Sequence, residues 1–202
     1  MIVYVETNFI LELAYHQEEH QHCTSILAMA ESQEITLVLP GFCLGESYES
    51  WTRRLKDRQQ LRERFDREMK ELARSESYAA LHKESQEITR ILIRSSEEEK
   101  RGLDSTLMRV ADIAQIIAVD RSIMSRAIQL QSERGLNPQD AIVYASVLSH
   151  MANAGDEAKC FLTKNSKDFS NLDIDPDLRQ YNGKLLTRFE HGAGYVGHRP
   201  PA

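Results

Sequence analysis

A short apolar run at the start of the chain places the strongest constraint on its fold. Ile2-Val3-Tyr4-Val5 consists of β-branched and aromatic residues without polar alternation. Such a run predicts a strand that is buried on both faces, and strands of this kind belong to parallel sheets that helices cover. The run stops at Glu6, so the sequence also predicts an acidic residue at the carboxyl end of the first strand.

Strands and helices alternate along the rest of the chain. Further strand patterns lie at residues 34–39, 116–119 and 159–163. Helical apolar spacing predicts helices over residues 9–14, 18–32, 107–117, 122–135 and 138–154, and another that starts near residue 42. Thr7 or Asn8 is the expected cap of the first helix, and Asn137 is the expected cap of the helix at 138–154. The alternation predicts an α/β fold with a mainly parallel sheet.

Residues 53–101 differ in composition from the segments on either side. Charged residues, Gln and Ser dominate there, and a thin apolar stripe runs through them. The pattern predicts two long antiparallel helices that turn near residues 75–77, inserted into the domain as a hairpin. Gly102 is expected to end this hairpin. A length of 202 residues suits a single domain, which we place at residues 1–190, and the Gly- and Pro-rich residues 191–202 are expected to form a disordered tail.

Composition excludes several classes of protein. With 41% hydrophobic residues, the chain is not expected to be disordered as a whole, and no apolar run approaches the length of a membrane span. A net charge of −6 argues against nucleic-acid binding by bulk charge alone. Cys23, Cys43 and Cys160 are odd in number and widely spaced, which favours reduced thiols in the cytoplasm.

Four acidic residues fall at element junctions, where parallel-sheet proteins bind ligands. They are Glu6, Glu46, Asp140 and Asp168. Each one alone is equally consistent with a turn residue, a helix-dipole partner or a solvated surface side chain. Carboxylates that converge at one rim would repel one another unless a cation neutralised them, and Mg²⁺ or Mn²⁺ is the natural partner. Such a site suits phosphodiester hydrolysis.

Four segments resemble the PIN-domain nucleases, and in particular the toxin-type PIN proteins. They are VYVETNFILEL at residues 3–13, GES at 45–47, LNPQDAIVYASVL at 136–148 and FLTKNSKDF at 161–169. The resemblance implies a three-layer PIN-like fold with the hairpin as an insertion. It also implies a metal-dependent endoribonuclease that acts on single-stranded RNA, with a possible homodimer and a possible cognate protein inhibitor as partners.

The resemblance assigns roles residue by residue. Glu6, Glu46, Asp140 and Asp168 occupy the positions of the catalytic metal ligands, and Thr7, Asn8, Thr163 and Asn165 occupy supporting positions. The family ordinarily has Asp where this chain has Glu6. Because Mg²⁺ tolerates little displacement of its ligands, a catalytically impaired PIN-like module that binds RNA or protein is the alternative, and a purely structural protein is a third.

The first helix of the hairpin carries a basic ridge with a repeat of four residues. Arg54, Arg58 and Arg62 form it and are candidate contacts for an RNA backbone. The alternatives are a salt-bridged solvated helix and a docking or dimer surface that uses the apolar stripe.

Overall fold

The computed structural model describes residues 1–78, 81–169 and 174–197, apart from the side chains of residues 81–85, 167, 168 and 175. A parallel five-stranded sheet organises the molecule, with strand order β3-β2-β1-β4-β5. The strands are β1 (Ile2–Tyr4), β2 (Thr36–Pro40), β3 (Gln115–Ile117), β4 (Lys159–Leu162) and β5 (Gly183–Leu186). The predicted PIN-like α/β fold with a parallel sheet is confirmed.

Helices pack around this sheet. They are α1 (Thr7–Tyr15), α2 (His20–Glu31), α3 (Phe42–Leu72), α4 (Leu81–Ile113), α5 (Arg121–Arg134), α6 (Pro138–Asn153), α7 (Ser166–Phe169), α8 (Ile174–Arg179) and α9 (Phe189–Gly197). Helix α1 packs against α2, α3 and α4, and α5 packs against α6. In the described part of the chain, no helix has both the length and the apolar character needed to cross a membrane.

Strand β1 lies in the middle of the sheet, between β2 and β4. Val3 is in register with Leu37 on one side and with Cys160 on the other, and every residue of β1 is buried. The chain adds β2 and β3 on one side of β1 and adds β4 and β5 on the other, so the strand order reverses beside β1. Ligands of open parallel sheets bind at the carboxyl ends of the strands where such a reversal occurs, and here that place follows β1 directly.

Helices α3 and α4 form the predicted antiparallel pair, but they are longer than the predicted insertion. Helix α3 already begins at Phe42 and α4 continues to Ile113, so the hairpin prolongs two helices that pack on the domain. The prediction that Gly102 ends the hairpin is wrong. A Cβ at this position would lie 2.4 Å from the carbonyl oxygen of Ala14, so a glycine allows α4 to pass close to α1.

The end of the chain departs from the sequence-based expectation. Helix α9 follows β5 within the stretch from residue 191 where a disordered tail was expected, and Phe189 and Val196 of α9 are buried. Gly192 packs so closely against Leu162 of β4 that a Cβ there would lie 2.8 Å from the leucine methyl carbons. The expectation is therefore corrected for residues 191–197, and residues 198–202 lie outside the described part.

Candidate active site

Glu6 caps helix α1 at the carboxyl end of β1. Its backbone is extended (φ −132°, ψ −172°), and its Oε2 accepts a hydrogen bond from the backbone N–H of Asn8 at 2.8 Å. The expected caps, Thr7 and Asn8, lie instead in the first turn, because the longer Glu side chain reaches the free N–H groups from the preceding position. Its other oxygen, Oε1, accepts the backbone N–H of Lys164 at 3.3 Å.

Burial dominates the electrostatics of Glu6. The residue is 7% exposed, and within the described residues its carboxylate makes no ion pair with a basic side chain. Desolvation raises the pKa of Glu6 to about 7, although the hydrogen bonds from Asn8 and Lys164 favour the charged form, and Glu46 adds a small repulsion. Among the described residues, no basic side chain neutralises the buried Glu6 carboxylate.

Glu46 approaches Glu6 from the first turns of α3. The hydroxyl of Thr7 donates a short hydrogen bond to Glu46 Oε2, which fixes this carboxylate beside the start of α1. Burial raises the pKa of Glu46, Glu49 adds to the rise, and the hydrogen bond from Thr7 together with the guanidinium of Arg53 opposes it. A second acid is thus partly desolvated at the same edge of the sheet.

Asp140 reaches the site from the first turn of α6. As predicted, Asn137 caps this helix, and its side-chain oxygen accepts the N–H of Asp140 at 2.9 Å. The side-chain amides of Asn137 and Asn165 both donate to Asp140 Oδ2, the latter at 2.9 Å. Asn165 in turn donates its backbone N–H to the Thr163 hydroxyl at 2.9 Å, so the loop after β4 helps to orient Asp140.

These side chains line one cavity of about 180 Å³. The predicted residues in its wall are Glu6, Thr7, Asn8, Glu46, Asp140 and Asn165. The sequence-based prediction missed Glu49 and Arg53, which also line it. Glu49 and Arg53 follow Glu46 by three and seven residues, which places all three on one face of a helix. The sequence does not show that this face of α3 is the one turned toward the cavity.

Other predicted site residues lie elsewhere. Asp168 belongs to α7, but its side chain is outside the described residues. Arg58 pairs with Glu99 of α4 at 2.9 Å, and the guanidinium of Arg54 lies 4.7 Å from the centre of the Tyr15 ring. Arg62 lines a separate cavity between α3 and α4. Arg58 and Arg62 thus face α4, Arg54 faces α1, and none of the three lines the acidic cavity.

The donor set of the cavity fits a hard divalent cation. Carboxylate and amide oxygens surround it, and the buried Glu6 lacks a counter-charge that such an ion would supply. Within the described residues, no three acidic, His or Cys side chains converge closely enough to ligate one ion directly. Mg²⁺ is nevertheless commonly held by only one or two carboxylates, and it keeps several waters, so the lining of this cavity is compatible with such an ion.

Comparisons with known proteins identify the family of the chain. No curated protein matches the chain. The solved structure of VapBC2 from Rickettsia felis bound to a DNA fragment from its promoter is similar at 14% sequence identity and a TM-score of 0.46, over 92% of this chain and 98% of that one; so low a similarity adds no argument about function. A family model described as a PIN domain matches residues 3–169, which include β1, the acidic cavity and β4. The chain belongs to the PIN-domain family.

Proposed function

We propose that this protein is a metal-dependent endoribonuclease that hydrolyses phosphodiester bonds of single-stranded RNA. The observation that carries the proposal is that Glu6, Glu46 and Asp140 line the same cavity, at the carboxyl end of the central strand. Membership of the PIN-domain family supports a nuclease. The preference for RNA over DNA comes from the family resemblance alone, as do a homodimer and a cognate protein inhibitor.

Glu6 and Asp140 are the proposed direct ligands, and Glu46 and Asp168 complete the acidic site or hold its waters. A bound Mg²⁺ or Mn²⁺ would supply a counter-charge to these acids and would polarise the phosphoryl oxygens of the substrate. Thr7 would hold the Glu46 carboxylate in place. Polar partners that hold ligating carboxylates in this way typically contribute 10- to 100-fold to affinity or activity.

Substrate binding would involve the basic residue of the cavity wall. Arg53 is the one Lys or Arg among the described residues that line the acidic cavity, and its exposed side chain stands one turn beyond Glu49. An RNA phosphate that enters the cavity meets four carboxylates in its lining, so a guanidinium at the rim favours its approach. We assign to Arg53 the contact with the RNA backbone that the sequence alone suggested for Arg54, Arg58 and Arg62.

A catalytically impaired RNA- or protein-binding module is the second candidate, and Glu6 motivates it. Two backbone N–H groups already hold the longer carboxylate. If Glu6 displaces the metal, Glu6→Asp should tighten Mn²⁺ binding and raise turnover. If the site is built around Glu6, the same change should weaken both. An unchanged affinity would show that Glu6 is not a ligand.

The test of the proposed function is the loss of cleavage in Asp140→Asn. This change removes one ligand charge at nearly constant volume, and we expect metal-dependent cleavage of single-stranded RNA to fall by about 100-fold or more while the fold is kept. Asp120→Asn is the matched control, because Asp120 also lies at a helix N-terminus, capping α5 outside the cavity. Equal cleavage by wild type and Asp140→Asn would contradict the proposal.

A further inference from the structure

An ion pair between a buried carboxylate and a partly exposed ammonium group joins α1 to the loop after β4, outside the lining of the acidic cavity. Glu12 of α1 is 1% exposed, and its Oε1 accepts a hydrogen bond from the Nζ of Lys164 at 2.6 Å. Its other oxygen accepts the backbone N–H of Glu19 at 2.8 Å. Both oxygens of this carboxylate therefore have partners, and neither residue of the pair lines the acidic cavity.

The pair is a poor way to gain stability. Taking the Glu12 carboxylate out of water costs free energy, and its attraction to the partly exposed Lys164 ammonium group is screened by water. Such a pair is therefore weak evidence of added stability. What the pair fixes is the position of the groups that it joins. Here it joins the second turn of α1 to the loop that follows β4.

That loop carries contacts to two of the proposed ligands. The backbone N–H of Lys164 donates to Glu6 Oε1 at 3.3 Å, and the side-chain amide of Asn165 donates to Asp140 Oδ2 at 2.9 Å. Helix α1 begins at the Glu6 cap and contains Glu12. The loop is thus attached to α1 at two points, through the Glu6 carboxylate and through the Glu12–Lys164 pair, and the second attachment lies outside the cavity.

We propose that Glu12 and Lys164 are positioning residues for the acidic site. The ion pair holds the loop at residues 163–165 against α1, so that the Lys164 N–H meets Glu6 and the Asn165 amide meets Asp140. The inference rests on the proposed function, because it concerns the carboxylates that would bind the metal. It adds that a charge pair without contact to metal or substrate sets the arrangement of those carboxylates.

The test compares charge-removing variants with a charge-keeping one. Glu12→Gln and Lys164→Met remove the pair but leave the backbone N–H of residue 164 in place, so any effect on Glu6 must come from a shift of the loop. Lys164→Arg keeps the charge. Asp177→Asn is the control, because it breaks another partly buried ion pair, with Arg134, and neither residue of that pair lines the acidic cavity.

The first readout is Mn²⁺ binding by calorimetry, which does not depend on turnover. We expect Glu12→Gln and Lys164→Met to weaken Mn²⁺ binding by about 10-fold or more. Because the two residues act as one pair, the double variant should be no weaker than the worse single variant. Lys164→Arg and Asp177→Asn should stay within about 3-fold of wild type. The second readout is cleavage, in which kcat should fall while KM for RNA stays unchanged.

The outcomes separate this inference from the proposed function. Wild type that binds no Mn²⁺ overturns both. Wild type that binds Mn²⁺ while Glu12→Gln and Lys164→Met bind it equally well overturns the inference alone, as does an equal weakening in Asp177→Asn. Lys164→Met leaves the buried Glu12 carboxylate without its ammonium partner, which is destabilising. If a single variant does not fold, the double variant Glu12→Gln/Lys164→Met, which leaves no unpaired charge, decides the question.

Discussion

The two ends of the α3–α4 pair differ in how far their side chains are buried. At the sheet, both helices contribute buried residues, among them Cys43, Ser47, Leu103 and Val110. Beyond Ser50 on α3 and before Ser96 on α4, none of the described side chains is buried. One pair of helices is therefore domain core at one end and a solvated hairpin at the other. Because Glu46 lies at the covered end, the acidic cavity depends on the packing of that end. The exposed outer end is available for a separate role.

The largest expected difference between the two ends is in stability. Leu103 and Ile91 are apolar residues of α4, but Leu103 is fully buried and Ile91 is 63% exposed. Leu103→Ala should lower the free energy of unfolding by about 2–5 kcal/mol because it leaves a cavity, whereas Ile91→Ala should change it by less than about 0.5 kcal/mol. Chemical denaturation measures both values. A similar loss in the two variants would mean that a second molecule covers the outer end.

The next effect concerns pH at the covered end. Burial raises the pKa of Glu6 to about 7 from its ordinary value of 4.5, so between these values the folded state keeps a proton that the unfolded chain has released. Stability of the metal-free protein should therefore fall as pH rises from about 4.5 to about 7 and then level off. Glu6→Gln should remove this cost and gain about 3 kcal/mol above pH 7, at 1.36 kcal/mol per pKa unit, with no gain below pH 4.5.

Denaturation in the presence of a chelator at several pH values checks this expectation. The matched control at the outer end is Glu87→Gln, since Glu87 is exposed and pairs only with the nearby Arg90 in the described contacts. It should change stability by less than about 0.5 kcal/mol at every pH. A pH-independent gain in Glu6→Gln would show that the buried carboxyl does not titrate in this range.

The smallest expected effect separates two roles for the outer end. Because Arg58 pairs with Glu99 and Arg54 stacks on Tyr15, replacing Arg54, Arg58 and Arg62 with Gln should leave the salt dependence of RNA binding unchanged. We expect the partly buried Phe65 to belong to a docking or dimer surface, so Phe65→Ala should shift the mass measured by light scattering. A fall of about 2 in the slope of log K against log salt for the Gln variant, with an unchanged mass for Phe65→Ala, would favour the RNA-binding alternative.

Sequence reasoning succeeded where structure depends on neighbours along the chain. The apolar run at β1 and the Asn137 cap are local patterns, and both appear as predicted. The predictions failed where contacts between residues distant in the chain determine the structure. Nothing local shows that Ala14 approaches α4 at Gly102, and a helix with three glycines, α9, forms because it packs on the sheet and on α2.

The candidate site shows the same division. The strand-end position of Glu6 follows from chain order, because the carboxyl ends of parallel strands share one edge of the sheet, and the Asn137 cap places Asp140 in the first turn of α6. The face of α3 that meets the site does not follow from sequence, since it depends on where α4 lies. For this reason Arg53 and Glu49 were missed, whereas the predicted repeat of Arg54, Arg58 and Arg62 turns toward α1 and α4.

A calorimetric titration of Mn²⁺ into metal-free protein tests most directly whether the acids at the carboxyl end of β1 form a divalent-cation site. If these acids hold the metal, Mn²⁺ should bind saturably to wild type and at least about 10-fold more weakly to Asp140→Asn, while Asp120→Asn should bind Mn²⁺ as wild type does. The absence of saturable binding to wild type, or equal affinity of wild type and Asp140→Asn, would contradict it.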